Sequence, residues 1–261
     1  MRYVTTLMRF WAAAMAAEME YRVNFVAAVV TSGVGLIGSL FTMSLFFTGE
    51  PGADLGGWSW EQALIVLGLF TVMTGLSAML LSPNLNRLVG HVQSGTLDFV
   101  LLKPIDSQFW LSTRTVSPWG VPDVLAGLGV LVYAAARLGL AAGDVAWALV
   151  PLVAGVVVLY AVWFILASTS IWFVKVGNVT HVLQSFLEAG RYPLSAYPVA
   201  LRVVFTAVVP VAFITTVPAE AMLGRVTPGW YAAAIALAAT LLAVSRGFWR
   251  FALRHYTSAS S

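Results

Sequence analysis

Long apolar segments alternate with short polar ones along most of this chain. A helix needs about 20 apolar residues to cross the hydrocarbon core of a bilayer, and most of the segments approach or exceed that length. The pattern therefore predicts an all-α membrane protein with six transmembrane helices, at approximately 24–47, 61–81, 119–138, 146–174, 203–217 and 230–249. The fifth of these segments is short and contains Pro210.

The first 20 residues carry an apolar stripe at the spacing of one helix face. Its members fall at i, i+3, i+4, i+7 and i+11, namely Val4, Leu7, Met8, Trp11 and Met15. This stripe predicts an N-terminal interfacial helix over 2–20 that lies flat on the membrane. An ordinary frayed N-terminus is the alternative.

Small residues recur every four positions within the first predicted span, at Thr31, Gly35 and Ser39. Small side chains on one helix face let a second helix approach closely inside a membrane. The spacing therefore predicts a helix-packing face.

The longest polar interval separates the second and third spans and covers 82–118. We expect Ser82-Pro83-Asn84 to end the second span. A short amphipathic helix should follow, because apolar residues lie on one side and polar residues on the other, with Leu85, Leu88 and Val92 facing away from Asn86, Arg87 and Gln93. Ser94-Gly95 should end that helix, since glycine favours the position after a helix C-terminus.

A second short helix is predicted from Leu97 to Leu102, with Thr96 or Asp98 as its cap. It should stop at Lys103-Pro104, because a residue that precedes proline disfavours helix. Joining two helices takes roughly 2–8 residues, so this loop is longer than a connection requires. The surplus suggests a docking role, and a structured loop that only joins two spans is the alternative.

Composition sets the class of protein. The 261 residues are 60% hydrophobic and only 10% charged, with a mean hydropathy of +0.88. Soluble domains carry roughly 25% charged residues. We therefore expect residues 1–261 to form a single membrane domain.

The basic residues are distributed unevenly between the two predicted sides of the membrane. Assigning the N-terminus, the 82–118 loop, a 175–202 loop and the C-terminal tail to one side collects 12 of the 14 Lys+Arg. Cytoplasmic loops carry such an excess, so both termini are predicted to be cytoplasmic. The charge is spread over four edges rather than gathered on one face, which argues against nucleic acid as a partner.

The sequence has no catalytic or cofactor motif. Its only lysines, Lys103 and Lys175, precede Pro104 and Val176, so no P-loop is present. The three histidines lack metal-ligand spacing, and cysteine is absent. The chain alone is therefore predicted not to be an enzyme. A gradient-driven secondary transporter and a non-transporting membrane scaffold stay open as alternatives, although the spans are almost free of charge.

Two stretches resemble the permease subunits of the ABC-2 type transporter family. The first is Gly95-Thr-Leu-Asp98 with Leu101-Leu-Lys-Pro-Ile-Asp-Ser-Gln-Phe109, followed by Ser112 and Arg114. The second is a proline pattern spread over Tyr192-Pro193, Tyr197-Pro198, Arg202, Pro210-Val-Ala-Phe213 and Pro218-Ala219. The likeness is greatest to a branch in which paired permeases use a separate ATPase.

The resemblance implies a permease of an ATP-driven exporter in the cytoplasmic (inner) membrane of a prokaryote. Its partners would be two copies of an ABC ATPase, which bind ATP and Mg²⁺, and a second permease, identical or homologous. The chain itself would hold no cofactor. Six spans would be joined by a cytoplasmic coupling helix between spans two and three, and by a short re-entrant segment between spans five and six. Relatives export drugs, lipid-linked glycans or peptides.

The resemblance also assigns residues to roles. The residues expected to couple the chain to the ATPase are Asn86, Arg87, Leu88, His91, Val92, Gln93, Gly95, Thr96, Leu97, Asp98, Phe99, Lys103 and Asp106. Asp98 and Lys103 could pair with each other or with the ATPase. The outer re-entrant segment would contain Pro218, Glu220, Arg225 and Pro228.

Overall fold

A computed structural model of the chain describes residues 8, 11–13, 15–16, 22–48, 54–173, 185, 187–208 and 210–257. Within these residues every regular element is a helix. The α-helices are α1 (Arg22–Ser44), α2 (Trp60–Leu76), α3 (Ser82–Gln93), α4 (Leu97–Leu101), α5 (Ser107–Thr113), α6 (Val121–Leu138), α7 (Ala142–Ser168), α8 (Val199–Val203), α9 (Thr216–Met222) and α10 (Pro228–Arg254).

Five helices of the described chain are long and apolar enough to cross a bilayer, and a bent pair of shorter helices could form a sixth crossing. This arrangement confirms the predicted all-helical membrane protein. We call the end of the bundle that carries Gln93, the 94–117 segment and Arg254 the loop end. The opposite end, which carries Trp58 and Arg225, is the distal end.

The predicted N-terminal helix lies mostly outside the described residues. Of its apolar stripe, Val4 and Leu7 are not described, whereas Met8, Trp11 and Met15 are helical. The indole N–H of Trp11 donates to the carbonyl of Thr113 at 2.7 Å. The N-terminal segment therefore touches the chain at the loop end.

Helix α1 packs on little else in this chain. Thr31 is exposed, and a Cβ added to Gly35 would have no atom within 4 Å. The Ser39 hydroxyl donates to the carbonyl of Gly35 on its own helix, at 2.7 Å. Ser39 itself is buried, at 5% exposure, whereas Thr31 and Gly35 are exposed. The predicted packing face of the three residues therefore stays a prediction.

Close helix packing occurs instead between α2 and α6, through two pairs of glycines. A Cβ on Gly127 would lie 2.7 Å from the carbonyl oxygen of Gly68, and a Cβ on Gly75 would lie 2.7 Å from that of Gly120. Each helix spaces its two glycines by seven residues, so both pairs lie on one seam. The absence of side chains lets the two backbones touch.

The second span does not end at Ser82-Pro83-Asn84 as predicted. The helix continues from Trp60 to Gln93, 34 residues in all, through a π-helical turn at Ser77–Leu81. Proline breaks helices because it has no N–H for the carbonyl four residues earlier. Here that carbonyl, on Met79, accepts the N–H of Ser117 at 2.9 Å. The Met79 carbonyl thus has a hydrogen-bond donor outside the helix, so the helix continues beyond Pro83 without leaving this acceptor unpaired.

The third and fourth spans are joined more tightly than predicted. Helix α6 ends at Leu138, and Gly139 adopts the left-handed conformation, with φ 67°. Helix α7 already begins at Ala142 rather than at 146, and its first turn is capped by the Asp144 carboxylate, which accepts the N–H of Ala141 at 2.9 Å. Helix α10 packs against α7 through Phe164 and Trp249, whose ring centroids lie 5.5 Å apart.

The fifth predicted span is broken. Two helical stretches, Val199–Thr206 and Val211–Met222, meet at an angle of 71° next to Pro210. Pro218 does not interrupt a helix, because it lies in the first turn of α9, where backbone N–H groups have no partner within the helix. Pro228 is likewise the first residue of α10.

The segment from Arg191 to Arg202 is not at the loop end, against its prediction as part of a cytoplasmic loop. The backbone at Ser195 touches Gly56, which lies in the distal loop between the first two spans. Arg202 donates to the carbonyls of Ser195 and Tyr197 at 2.7 and 2.6 Å, and Arg191 forms an ion pair with Glu188. Charge counting treats each arginine as a cytoplasmic loop residue, whereas these two bond locally within a segment that reaches the distal loop. Seven of the 11 Lys+Arg among the described residues lie at the loop end.

The glycine seam makes a direct prediction. Gly127→Ala places a methyl group 2.7 Å from backbone atoms of α2, which cannot move aside, so we expect a loss of about 1–3 kcal/mol. Gly129→Ala on the same helix is the matched control, since its Cβ would meet nothing within 4 Å. Thermal unfolding of the purified chain in lipid nanodiscs measures both. Equal midpoints for the two variants would contradict close packing at this seam.

Candidate functional site

The 82–118 loop between the second and third spans begins as a continuation of the second-span helix. Helix α3 turns Leu85 and Leu88 into the core, while Asn86 and Arg87 are exposed. This is the amphipathic pattern predicted from the sequence. The full Trp60–Gln93 helix is about 51 Å long, roughly 20 Å more than the hydrocarbon core. Its surplus length reaches the loop end, where Leu85 and Leu88 pack in one apolar cluster with Trp163 and Trp249.

Helix α3 ends at Ser94-Gly95, as predicted. Gly95 has a φ of +68°, which L-residues with a side chain rarely adopt. The N–H of Thr96 bonds to the carbonyl of His91 at 3.0 Å, and the N–H of Gly95 bonds to that of Val92 at 3.3 Å. This pair of bonds is the Schellman arrangement that closes a helix C-terminus.

Thr96 does not cap the next helix with its side chain, against the prediction. It occupies the N-cap position of α4, but its hydroxyl lies 2.8 Å from His91 Nδ1 and 2.8 Å from Ser94 Oγ. The hydroxyl therefore fastens the start of α4 to the end of α3. The two short helices form one rigid bracket.

Helix α4 exposes part of its apolar side. Leu97 is 0% exposed and Val100 is 3% exposed, whereas Phe99 is 69% and Leu102 is 81% exposed. Leu97 and Leu88 are thus core residues that position the surface, although both were predicted to couple directly. We call Phe99 and Leu102, with the half-exposed Leu101, the apolar ridge. Apolar groups exposed together outside the lipid mark an interaction site.

The return path to the third span is held by Asn84 and Arg87, which the sequence analysis had given other roles: Asn84 was expected to end the second span, and Arg87 to couple the chain to the ATPase. Asn84 is buried; its amide donates to the carbonyl of Thr115 at 2.7 Å and its oxygen accepts the N–H of Thr115 at 2.9 Å. Arg87 donates to the Thr115 hydroxyl at 2.8 Å. These bonds pin residues 115–117 alongside α3, so the loop has a fixed shape.

Asp106 anchors the loop to the last span. Its carboxylate caps α5 by accepting the N–H of Phe109 at 2.9 Å. The same carboxylate forms a two-point ion pair with Arg246 of α10. The hydrogen bond from Arg246 is the main reason why the pKa of Asp106 is held below its ordinary value. The two side chains are 40% and 36% exposed, and ion pairs this exposed contribute about 0–1 kcal/mol to stability.

Gln108 is buried beside this ion pair, and its side chain bonds to three residues on two other helices. Its oxygen accepts from Arg246 at 3.3 Å, and its amide donates to Tyr160 Oη and Ser245 Oγ, each at 3.2 Å. Ser112 lies 2.8 Å from Tyr160 Oη. The indole N–H of Trp249 completes the set, donating to Ser107 Oγ at 3.0 Å.

We call this network the polar clasp. It joins one turn of α5 to α7 and α10, and its members are Asp106, Ser107, Gln108, Ser112, Tyr160, Ser245, Arg246 and Trp249. Three of its loop residues, Asp106, Ser107 and Gln108, are the Asp-Ser-Gln of the Leu101–Phe109 stretch described in the sequence analysis. Lys103, just before that stretch, places its ammonium 4.1 Å from the ring centroid of Trp110.

A cavity of about 230 Å³ lies between the second and fourth spans. Met73 and Ser77 line it from the second span, Leu159 from α7, and Ile214 and Thr215 from the broken segment. The Thr215 side chain is buried, and its hydroxyl has no hydrogen-bond partner. The cavity therefore marks a place where the bundle is incompletely packed.

The residues assigned to the outer re-entrant segment lie near the distal end. Pro218 is buried in α9, and Glu220 is half-buried on the same helix. Arg225 is exposed, with its guanidinium 5.3 Å from the ring centroid of Trp58. Pro228 starts α10. These four residues lie at the end opposite the apolar ridge and share no site with it.

Comparison with known protein families identifies the family of this chain. Residues 34–260 match the family described as ABC-2 family transporter protein. The match covers most of the chain, so the chain belongs to that family and is a multi-pass membrane protein of the transporter permease class. Comparison with curated proteins and with solved structures finds no significant match.

Two nearby asparagines test the fixed shape of the loop. Asn84→Ala leaves the N–H and carbonyl of buried Thr115 without partners, so we expect a loss of about 2–4 kcal/mol. Asn86→Ala removes one exposed bond to Ser82 Oγ and should cost less than about 0.5 kcal/mol. Thermal midpoints in nanodiscs compare the two. A loss in Asn86→Ala as large as that in Asn84→Ala would refute the role of Asn84.

The lowered pKa of Asp106 makes a prediction about pH. A carboxylate with a depressed folded-state pKa adds stability above its unfolded value of about 3.9, and that stability is lost as pH falls through the folded-state pKa. Asp106→Asn keeps an acceptor for the Phe109 N–H but removes the charge. Wild type should therefore unfold at a slightly higher temperature at pH 7, and the difference should shrink as the pH falls below about 3.9. A difference that persists unchanged at pH 3 would contradict the ion pair.

Proposed function

We propose that the chain is the permease subunit of an ATP-driven exporter, coupled to a separate ATPase through the 82–118 loop. It would form the substrate pathway with a second permease, identical or homologous, in the inner membrane of a prokaryote. Family membership supports a transporter permease. The sequence contains no P-loop, so ATP and Mg²⁺ would be bound by two ATPase copies.

The observation that carries this proposal is the apolar ridge. Phe99 and Leu102 stand on a rigid bracket at the end of a helix that is longer than the bilayer is thick. Lipid cannot cover apolar side chains outside the hydrocarbon region, so a protein partner is the occupant that fits. Burial of a phenylalanine or leucine side chain stabilises a contact by about 1.5–3 kcal/mol.

The polar residues around the ridge suit a docking surface. Asn86, Arg87 and Gln93 are exposed along α3, the helix that precedes the ridge. Interfaces of this kind combine a small apolar centre with a polar rim. In this proposal α3 and α4 together act as the coupling helix, and α5 with the polar clasp supports them.

The loop end is assigned to the cytoplasm by its basic residues. Of the 11 Lys+Arg among the described residues, seven belong to segments at this end, namely Arg22, Arg87, Lys103, Arg114, Arg246, Arg250 and Arg254. The excess of Lys and Arg in cytoplasmic segments supports this orientation. An ATPase in the cytoplasm would then meet the apolar ridge.

Substitutions in the ridge test the proposal. Phe99→Asp and Leu102→Asp each remove an exposed apolar group without disturbing the core, so the chain should insert and unfold as wild type does. Retention of the cognate ATPase on the immobilised permease should fall at least tenfold, which is about 1.4 kcal/mol. Thr257→Asp, which adds the same charge at the exposed C-terminal tail, should have no effect.

Two outcomes would reject the proposal. Wild-type retention and stimulation of the ATPase in the ridge variants would remove the coupling role and favour a scaffold. Transport at full rate in liposomes with an ATPase that lacks its catalytic carboxylate would favour a gradient-driven carrier instead.

A further inference from the structure

The loop end holds much of the contact between two pairs of helices, because buried residues of the second-span helix, such as Leu85 and Leu88, pack there against the fourth and last spans. The second and third spans form one pair, packed through the glycine seam. The fourth and last spans form the other pair, packed through Phe164 and Trp249. The cavity lies between the two pairs. Any relative movement of the pairs therefore changes the shape of the cavity.

We propose that Arg246 and Gln108 are positioning residues that tie the docking surface to the last span. Through the polar clasp, a displacement of α4 would move α10 and α7 as well as the second span. This inference rests on the proposed function, since the displacement would come from the ATPase. It assigns the clasp a role in transmitting movement rather than in binding a partner.

The docking surface and the clasp are close along a stiff piece of chain. Helix α4 ends at Leu101, and the turn to α5 is closed by backbone bonds from Lys103 N–H to Val100 O at 3.2 Å and from Ile105 N–H to Lys103 O at 2.8 Å. Pro104 fixes its own φ within that turn. Lys103 also lies over Trp110 of α5. A displacement of α4 is therefore carried directly to Asp106.

The stability that the ion pair contributes does not explain the clasp. Asp106 and Arg246 are both more than one-third exposed, and such pairs contribute little to folding. A guanidinium that bonds a carboxylate at two points nevertheless fixes the direction of the contact. The arrangement therefore constrains the angle between α5 and α10 more than it stabilises the fold.

Gln108 extends the constraint to a second helix. It is buried, and all its described bonds go to Arg246 and Ser245 on α10 and to Tyr160 on α7. A buried amide that loses its partners is left unsatisfied. Rotation of α5 relative to either helix would break these bonds, so the three helices should move together.

Apolar packing beneath the clasp also joins these elements. Leu88 and Leu97 lie in one cluster with Trp163, Phe164 and Trp249. Hydrophobic contact is not directional, so it permits sliding that the clasp does not. We therefore expect removal of the clasp to reduce transmission without abolishing it or separating the helices.

The absence of cysteine makes the test direct, because a single introduced cysteine can carry a spin label. Gly90→Cys reports on the docking side, and Gly247→Cys reports on α10; a side chain at either position meets nothing within 4 Å. The permease and its ATPase are assembled in nanodiscs. Spectra are recorded without nucleotide and with ATP plus vanadate.

In the wild-type background both labels should respond to nucleotide. In Arg246→Ala, and also in Arg246→Lys, which keeps the charge but loses the two-point geometry, the Gly90 label should respond fully. The Gly247 label should lose at least half of its response. Arg250→Ala is the matched control, since it removes an exposed arginine one turn further along the same helix. It should leave both responses unchanged.

The outcomes separate the two proposals. Failure of the wild-type permease to retain the ATPase overturns the proposed function, and the clasp inference falls with it. A retained ATPase with a full Gly247 response in both Arg246 variants overturns the clasp alone. So does a wild-type complex in which only the Gly90 label responds. A full response in Arg246→Lys but not in Arg246→Ala would show that charge alone suffices, which contradicts the geometric role.

Discussion

Lipid surrounds apolar helices as favourably as other helices do, so hydrophobicity alone cannot decide which spans of this chain associate. The chain uses two different contacts to decide it. Glycines bring the backbones of α2 and α6 together, and aromatic rings bring α7 and α10 together. Each contact produces one tight pair. The remaining architecture consists of the ways in which these two pairs are joined.

The π turn at Ser77–Leu81 makes the first of these connections possible. Without it, Pro83 would end the second span near the membrane surface, and the loop would hang from a flexible junction. Because the Met79 carbonyl accepts the N–H of Ser117, the helix remains continuous for another ten residues, and the segment that returns to the third span is bound to it. The bracket that carries the apolar ridge is therefore a continuation of the span that lines one side of the cavity.

The sequence was sufficient to predict the features that depend on local chemistry. Five of the predicted spans, the amphipathic face of α3 and the stop at Gly95 all follow from composition and spacing over a few residues. The features that it missed depend on contacts between distant residues. Asp106 and Arg246 are 140 positions apart, and nothing beside either residue indicates the other.

Other errors arose where a local pattern was compatible with two structures. The glycines of the α2–α6 seam are spaced by seven residues, so a search for small residues four positions apart missed them. A five-residue helix is too short for periodicity to show which side is buried, so Leu97 and Phe99 looked equivalent although one is buried and the other exposed. Arg191 and Arg202 looked like loop charges because their hydrogen-bond partners, a carboxylate and two carbonyls, are visible only in the fold.

The modest strength of the clasp is compatible with a moving part. A fully buried ion pair would hold the two helix pairs in one arrangement, because separating buried charges costs several kcal/mol. A pair that is more than one-third exposed can part and re-form with water as the substitute partner. The buried amide of Gln108 restores the same register each time, since only one arrangement satisfies all its bonds. In the proposed movement, the exposed Asp106–Arg246 pair would make the contact between α5 and α10 reversible, and Gln108 would fix its register. Neither role requires a large contribution to the stability of the fold.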